Sequence, residues 1–331
     1  MSDRSRRSGP VPLVRVLRSG LEEAVHLGSV AVTDAAGTLV ARAGDPGRAT
    51  FARSTMKPLQ ATVSLSLIGE DLTDREIAVM CASHNGEPVH VEAVAALLAR
   101  ARLGFDALRT PSMAPWDQEA ALVAGRRAPE FSDCSGKHAG MLVACARQGW
   151  DLASYRDADH PIQRRVLAAV VSASGQREVA VGVDGCGVPV HWIPVRSLGA
   201  LYARLGRPEA LGELASFAAR ALQAMGREPY LVAGRGRVCT AVMEAVPGVV
   251  VKVGAEGLIC AALTGDGLGV AVKITDGGAR AAGPALLHTL DLLGAMPPGA
   301  AGALERWIHP PVLGGGEPRG HLEADFDLTF A

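Results

Sequence analysis

Lysine is almost missing from this chain. Of its 33 lysine and arginine residues only Lys57, Lys137, Lys252 and Lys273 are lysine. Either side chain serves as surface charge, but arginine stays protonated whereas a lysine can be tuned to lose its proton and act as a base. Each lysine therefore marks a position to inspect, and three of the four sit in motif-like segments. Aromatic residues are scarce as well, at 4%, which argues against base-stacking platforms. A formal net charge of −1 over 331 residues gives no electrostatic reason to expect nucleic acid or anionic lipid as a partner. No run of about 18 uninterrupted apolar residues occurs, so no membrane span is expected. Residues Met1 to Pro12 are basic without the apolar stretch of a signal peptide. They read as a short disordered tail, set at residues 1–10, and the protein is expected in the cytoplasm. Six cysteines are too few for a disulfide scaffold of this size, and reduced thiols are expected, one or two of them available to a metal. Phosphate-binding loops of the G-x-x-x-x-G-K or G-x-G-x-x-G kind are absent.

What is present suits a soluble globular protein with a large core, since 48% of residues are hydrophobic. Leu13–Arg18, Val30–Asp34 and Thr38–Ala43 read as strands. A helix should follow Arg53–Pro58, because Pro58 is tolerated only in a first turn. Thr73-x-x-Glu76 is a capping box that opens another helix through Met80. Further helices are expected over Val89–Arg102, Cys134–Gln148, Pro161–Ala173, Glu209–Met225 and Ala279–Leu293. Strands return over Val249–Val253, Leu258–Leu263 and Leu268–Ile274, with a last edge strand at Leu322–Leu328. The expected fold class is α/β: a mainly antiparallel sheet formed by both termini, covered by helices, with an inserted helical lobe. The sheet lobe is expected over about 11–70 and 230–331 and the helical lobe over about 71–229, together one catalytic domain.

Ser54-Thr55-Met56-Lys57 is an S-x-x-K element. Three residues apart on a helix, the two side chains share a face, so the amine can reach the hydroxyl. A serine hydroxyl is a weak nucleophile that needs a neighbouring base, and a lysine becomes one when burial and nearby cations disfavour its charge. Arg53 and Lys252 are the candidate cations. Ser83-His84-Asn85 has the form S-x-N and Lys252-Val253-Gly254 the form K-x-G. S-x-x-K, S-x-N and K-x-G in that order is the arrangement of penicillin-recognising serine hydrolases. Gly254 would allow close approach of substrate, and Lys252 offers an anion anchor or a second base for Ser83. The gap before S-x-N is shorter than in lactamases and Val253 replaces a hydroxyl residue, so an amidase is expected rather than a lactamase.

A second cluster joins Cys134-Ser135-Gly136-Lys137-His138 to Asp184-Gly185-Cys186. Two thiolates brought together from distant segments can hold zinc, with His138 as the default third ligand by spacing; buried thiols without a metal fit the spacing equally well. Asp184 is placed either to capture an ammonium group or simply to form a turn.

Taken in order, Arg53-Ser54-x-x-Lys57, Cys81-Ala82-Ser83-His84-x-Gly86-Glu87, Cys134-Ser135-Gly136-Lys137-His138-Ala139-Gly140, Asp159-His160-Pro161, Asp184-Gly185-Cys186 and Lys252-x-Gly254-Ala255-Glu256-Gly257 resemble the L-asparaginase II family, the rhizobial-type or class 3 asparaginases. The resemblance runs from about Leu13 to the carboxyl end. It implies a β-lactamase/glutaminase-like fold, a homodimer, and hydrolysis of L-asparagine through an acyl-enzyme. It implies two Ser–Lys pairs, Ser54–Lys57 and Ser83–Lys252. Arg53, Asn85, Asp184 and Gly254 are the residues expected at the substrate. The resemblance also implies a zinc ion on Cys134, Lys137 and Cys186 that supports substrate binding more than chemistry. Val253 stands where threonine is expected and Asp133 where an amide is common. Three rivals remain: a glutaminase or other small-amide hydrolase of the same fold, a zinc amidase in which metal-bound water attacks, and a non-catalytic zinc or thiolate protein.

Overall fold

The computed structural model describes residues 9–69 and 71–331. The expected tail at residues 1–10 lies, apart from Gly9 and Pro10, outside the described residues. The described residues divide into two compact units, one of residues 9–55, 193–206 and 245–331, the other of residues 56–69, 71–192 and 207–244.

The first unit is built on an antiparallel sheet. Its strands are β1 (Val11–Arg18), β2 (Leu21–Asp34), β3 (Leu39–Ala43), β7 (Val249–Gly254), β8 (Leu258–Leu263), β9 (Leu268–Ile274), β10 (Pro311–Gly314), β11 (Glu317–Ala324) and β12 (Thr329–Phe330). They lie in the order β10-β11-β1-β2-β9-β8-β7, with β3 also paired to β2 and β12 to β3. The short strand β4 (Ala49–Phe51) leads toward the S-x-x-K segment. Every residue of β8 is buried, as a strand covered on both faces requires. The covers are helices α7 (Val195–Gly206) and α11 (Ala279–Leu292), both packed on β8 and β9; α12 (Ala300–Ile308) packs on α11. Helix α7 comes so close to β9 that a methyl group on Gly269 would stand 2.0 Å from the Gly199 carbonyl oxygen.

The second unit is mainly helical: α1 (Lys57–Ile68), α2 (Asp74–Met80), α3 (Pro88–Ala99), α4 (Gln118–Ala124), α5 (Ser135–Gln148), α6 (Pro161–Ser174), α8 (Ala215–Arg227), α9 (Pro229–Val232) and α10 (Val238–Ala245). Helix α5 is buried from Ser135 to Cys145, because α1, α2, α3 and α6 all pack against it. The Thr73/Glu76 capping box opens α2, with both reciprocal bonds formed. A hairpin of β5 (Ala180–Val183) and β6 (Pro189–Pro194) carries the Asp184–Cys186 turn.

The mixed α/β class, the sheet made by both ends of the chain and the inserted helices agree with the sequence reading; several boundaries do not. The sheet unit stops at Thr55 and resumes at Ala245. Helix α1 is buried on nearly all sides against α5, α6 and α8, which makes it part of the helical unit. Helix α7 also belongs to the sheet unit, and the sequence reading placed no helix there. The helix expected over Glu209–Met225 is broken at Gly212, whose left-handed backbone (φ 57°) ends a 3₁₀ turn before α8 begins. The strand expected at Leu322–Leu328 is β11 instead, an inner strand paired to both β1 and β10.

Candidate active and metal sites

All four lysines are buried, Lys57 and Lys252 at 0% exposure, Lys137 at 3% and Lys273 at 6%. Burying an ammonium is costly unless it is paired or hydrogen-bonded, so each has a structural or chemical assignment.

In the sheet unit, Arg53–Met56 forms a 3₁₀ turn that runs into α1. Ser54 lies in it, half-buried. The preceding residue, Arg53, has φ 46°, a left-handed conformation costly for a side chain with a Cβ. The turn is held by Thr55, whose hydroxyl donates to the Ala52 carbonyl at 2.6 Å and whose carbonyl accepts the Tyr202 hydroxyl at 2.6 Å. Gly254 at the end of β7 approaches the same turn: a methyl there would come 3.1 Å from Thr55 Cγ2. Lys252 donates to the Val253 carbonyl at 2.9 Å. Arg53 Nη1 stands 4.0 Å from Glu256 Oε1. Lys273, to which the sequence assigned no role, holds the carbonyls of Glu256 and Ile274 at 2.6 and 2.5 Å, fixing the β7–β8 turn where Glu256 is also left-handed (φ 60°).

In the helical unit, Lys57 Nζ donates to Ser83 Oγ at 2.9 Å and to the Asp133 carbonyl at 3.1 Å, with the Asp133 carboxylate 3.6 Å away. The structure thus brings Lys57 to Ser83; spacing had assigned that lysine to Ser54 and the resemblance had given Ser83 to Lys252. The segment Ser83–Asn85 runs extended after α2. The backbone N–H groups of Ser83 and Asn85 donate to Val232 and Ala233, and the Asn85 carbonyl accepts the N–H of Trp116. Asn85, expected at the substrate, spends its amide on protein: Nδ2 donates to Glu87 and to the Arg235 carbonyl, and Oδ1 accepts from Arg237. Glu87 also accepts the Tyr230 hydroxyl. Gly234 must be glycine here (φ 112°), because a methyl would stand 2.4 Å from Glu87 Oε1.

Sequence reasoning passed over His84. Its Nδ1 accepts the Gly86 N–H and its Nε2 bonds Ser135 Oγ at 2.9 Å, while Ser135 donates to the Glu130 carbonyl. Burial, with His90 stacked beside it, holds its pKa well below the ordinary value. His84 therefore ties the Ser83 loop to the start of α5. The signal was available: His84 and Ser135 both lie inside motifs already singled out.

The thiol cluster lies in the same unit. Cys134 at the head of α5 hydrogen-bonds Cys186 in the β5–β6 turn, and Lys137 Nζ lies 3.0 Å from Cys186 Sγ. That shared bond, reinforced by burial, pushes the Cys134 thiol well up. The same bond, together with Lys137 and against burial, pulls Cys186 far down toward the thiolate. Burial disfavours the Lys137 ammonium, but the sulfurs of Cys186 and Cys134 outweigh it and push its pKa up. Asp184 is half-buried in the turn; Oδ1 accepts the Gly185 N–H at 2.9 Å and Oδ2 lies 3.9 Å from Cys186 Sγ. Among the described residues no three His, Cys, Asp or Glu side chains converge as a metal cluster, so His138 does not complete a trio with the two cysteines. Lys137 does stand with them.

The family model for L-asparaginase II matches residues 14–324. Among solved structures, a β-lactamase from Mycobacterium bovis is 16% identical over 91% of this chain and 97% of that chain, with TM-score 0.43. The Bacillus subtilis glutaminase YbgJ, in covalent complex with 5-oxo-L-norleucine, is 12% identical over 81% of this chain and 88% of that one, with TM-score 0.39. No curated protein matches.

Proposed function

We propose, from the premise that this chain belongs to the L-asparaginase II family, that it is an L-asparaginase releasing ammonia from the side-chain amide of L-asparagine. The observation that carries this reading is the fully buried Lys57 amine 2.9 Å from the buried Ser83 hydroxyl. An amine placed on a hydroxyl away from solvent is the equipment for moving a proton to or from a reacting group.

In this mechanism Ser54 is the nucleophile. As its oxygen bonds to the amide carbon, its proton passes to the Lys57 amine. The tetrahedral adduct then expels nitrogen, which takes that proton and leaves as ammonia, with Ser83 as the hydroxyl through which Lys57 delivers it. Water attacks the aspartyl ester, giving up a proton to restore the Ser54 hydroxyl and releasing aspartate. Lys252 anchors anionic substrate groups from the K-x-G strand, and Arg53 is held for the same purpose in a backbone conformation that only surrounding structure maintains. Backbone N–H groups near Ser54 stabilise the oxyanion.

Zinc fits the thiol cluster. Two sulfurs and one amine meet in one buried place, a donor set that suits zinc once the ion displaces the proton of the Lys137 ammonium. Cys134, Lys137 and Cys186 would hold the ion, which would supply positive charge favouring a bound anionic substrate. The homodimer implied by the resemblance belongs to this reading too. No helix among the described residues is long and apolar enough to cross a membrane.

Ammonia release on asparagine and on glutamine, measured side by side with zinc content, tests the proposal. One methylene discriminates by only about 10- to 200-fold, so the two rates decide the substrate. Higher kcat/KM on glutamine would make the protein a glutaminase. Turnover that survives Ser54→Ala but not chelation would replace the serine mechanism with attack by metal-bound water.

A further inference from the structure

Glu87 closes the Cys81–Glu87 motif and has no part in the proton transfers above. It is 5% exposed, and a carboxylate withdrawn from water has to be paired or hydrogen-bonded. The residue stands at the N-cap of α3, yet its side chain makes no bond to the start of that helix. It turns instead to the segment before α10. Oε1 accepts Asn85 Nδ2 and the backbone N–H of Arg235, both at 3.1 Å. Oε2 accepts the Tyr230 hydroxyl, and the Arg235 guanidinium lies 3.9 Å away. Burial and the bond to Glu87 push the Tyr230 pKa up to about 12, so the phenol stays a donor. The Tyr230 ring stacks on His90 of α3, whose Nε2 donates to the Tyr230 carbonyl at 3.1 Å.

Residues 230–235 are the track on which Ser83 lies. The N–H groups of Ser83 and Asn85 donate to the Val232 and Ala233 carbonyls at 2.9 and 3.0 Å. Tyr230 and Arg235, the two points that Glu87 grips, flank those carbonyls in the chain. We propose that Glu87 is a positioning residue: it clamps the 230–235 segment and thereby sets the Ser83 hydroxyl 2.9 Å from Lys57 Nζ. Its effect on turnover rests on the Ser83–Lys57 reading above; the clamp does not. Removing the carboxylate strips an acceptor from Asn85, Arg235 and Tyr230 together, and buried donors move to find others. A displacement of about 1 Å at a reacting group costs about 10²-fold in rate. Protein donors occupy both Glu87 oxygens, so the carboxylate takes no part in holding substrate.

The test joins kinetics on asparagine to amide hydrogen exchange, both on the full chain. Glu87→Ala should lower kcat about 10- to 10²-fold and leave KM within about threefold, the split expected when substrate binding is untouched. Glu87→Gln keeps the shape and one accepting oxygen, and should recover most of the loss. In Glu87→Ala the Ser83 and Asn85 amides should exchange at least about tenfold faster than in the wild type, while amides of β8 keep their rates. Wild-type kcat in Glu87→Ala, a raised KM with kcat unchanged, or wild-type exchange at Ser83 and Asn85 overturns the inference. If Glu87→Ala does not fold, Tyr230→Phe, which removes one donor and keeps the ring on His90, takes its place: faster exchange at the two amides supports the clamp and unchanged exchange overturns it. If the wild type releases no ammonia from asparagine, the asparaginase reading fails, and the exchange rates still decide this one.

Discussion

Lys57 donates to the backbone carbonyl of Asp133, the residue immediately before Cys134, at 3.1 Å. The amine proposed to move protons is thereby attached to the segment that carries a metal donor. A second strap runs in parallel, from His84 beside Ser83 to Ser135 beside Cys134. Two hydrogen bonds thus join the Ser83 loop and α1 to the head of α5, so a displacement of residues 133–135 is felt at Lys57 and Ser83 together.

The first prediction concerns that pair. Ser83→Ala keeps the Lys57–Asp133 bond and removes only the hydroxyl 2.9 Å from the amine. The variant should fold normally and lose about 10²- to 10⁴-fold in kcat, the usual scale of a proton-transfer group. Lys57→Arg, which keeps charge but cannot act as a base at neutral pH, should lose at least as much. Ammonia release measured alongside circular dichroism decides it, and a Ser83→Ala enzyme with wild-type kcat removes Ser83 from the mechanism.

Gly136 lies between Cys134 and Lys137, and a methyl there would stand 2.0 Å from the Val79 carbonyl oxygen of α2. Neither atom is the end of a flexible side chain, so the helices must separate. Gly136→Ala should destabilise by about 1–3 kcal/mol, as overpacking does. It should also weaken metal retention and activity together, because α2 leads into Ser83 and α5 carries Lys137. Urea unfolding with zinc content checks both parts. An unchanged midpoint would mean that α2 and α5 do not pack this closely.

How much of this was legible beforehand differs by element. The sheet strands were readable because alternation in β1 and unbroken apolar runs in β8 have a period or a length that few other structures produce. The capping box at Thr73 and Glu76 was readable because its chemistry is local. Helix α7 was missed although Val195, Leu198, Leu201, Tyr202 and Leu205 recur at helical spacing and are all buried. What its sequence could not show is the purpose of Gly199, which comes only from Gly269, seventy residues later, where two backbones meet. The same holds at the site. S-x-x-K spacing locates Lys57 but not its partner, since a lysine reaches several ångströms and the loop bearing Ser83 is placed by Val232 and Ala233. Asn85 was expected at the substrate, whereas its amide is engaged by Glu87, Arg235 and Arg237, contacts no local pattern announces.

Acid stability should depend on Glu76. Burial would raise its pKa, but the Arg100 guanidinium at 2.7 and 3.0 Å and the Thr73 backbone and hydroxyl donors outweigh it, and the pKa is lowered. A carboxyl with a depressed folded value stabilises fully above its unfolded pKa, and that contribution is lost as pH falls through the folded value. Urea midpoints at about pH 7 and about pH 3.5 should therefore fall further for the wild type than for Glu76→Gln, which has no charge to lose. Equal losses in the two proteins would show that acid lability arises elsewhere.

Arg53 offers the sharpest separation of stability from activity. Its backbone at φ 46° costs an ordinary residue on the order of 1 kcal/mol or more, while glycine adopts it freely. Glycine also gains entropy in the unfolded chain, by roughly 0.5–1 kcal/mol, and the substitution forfeits the Glu256 contact, which at 4.0 Å and partly exposed is worth little. The terms nearly cancel, so Arg53→Gly should leave the thermal midpoint within a few degrees of the wild type. Activity should not follow. Without the guanidinium, KM for asparagine should rise at least tenfold, the loss expected of a charged hydrogen bond to substrate, and Arg53→Lys should recover part of it. Kinetics on the three proteins beside calorimetry measures both quantities. A glycine variant with wild-type KM would mean that the strained backbone serves Ser54 and that the arginine side chain takes no part in holding the substrate.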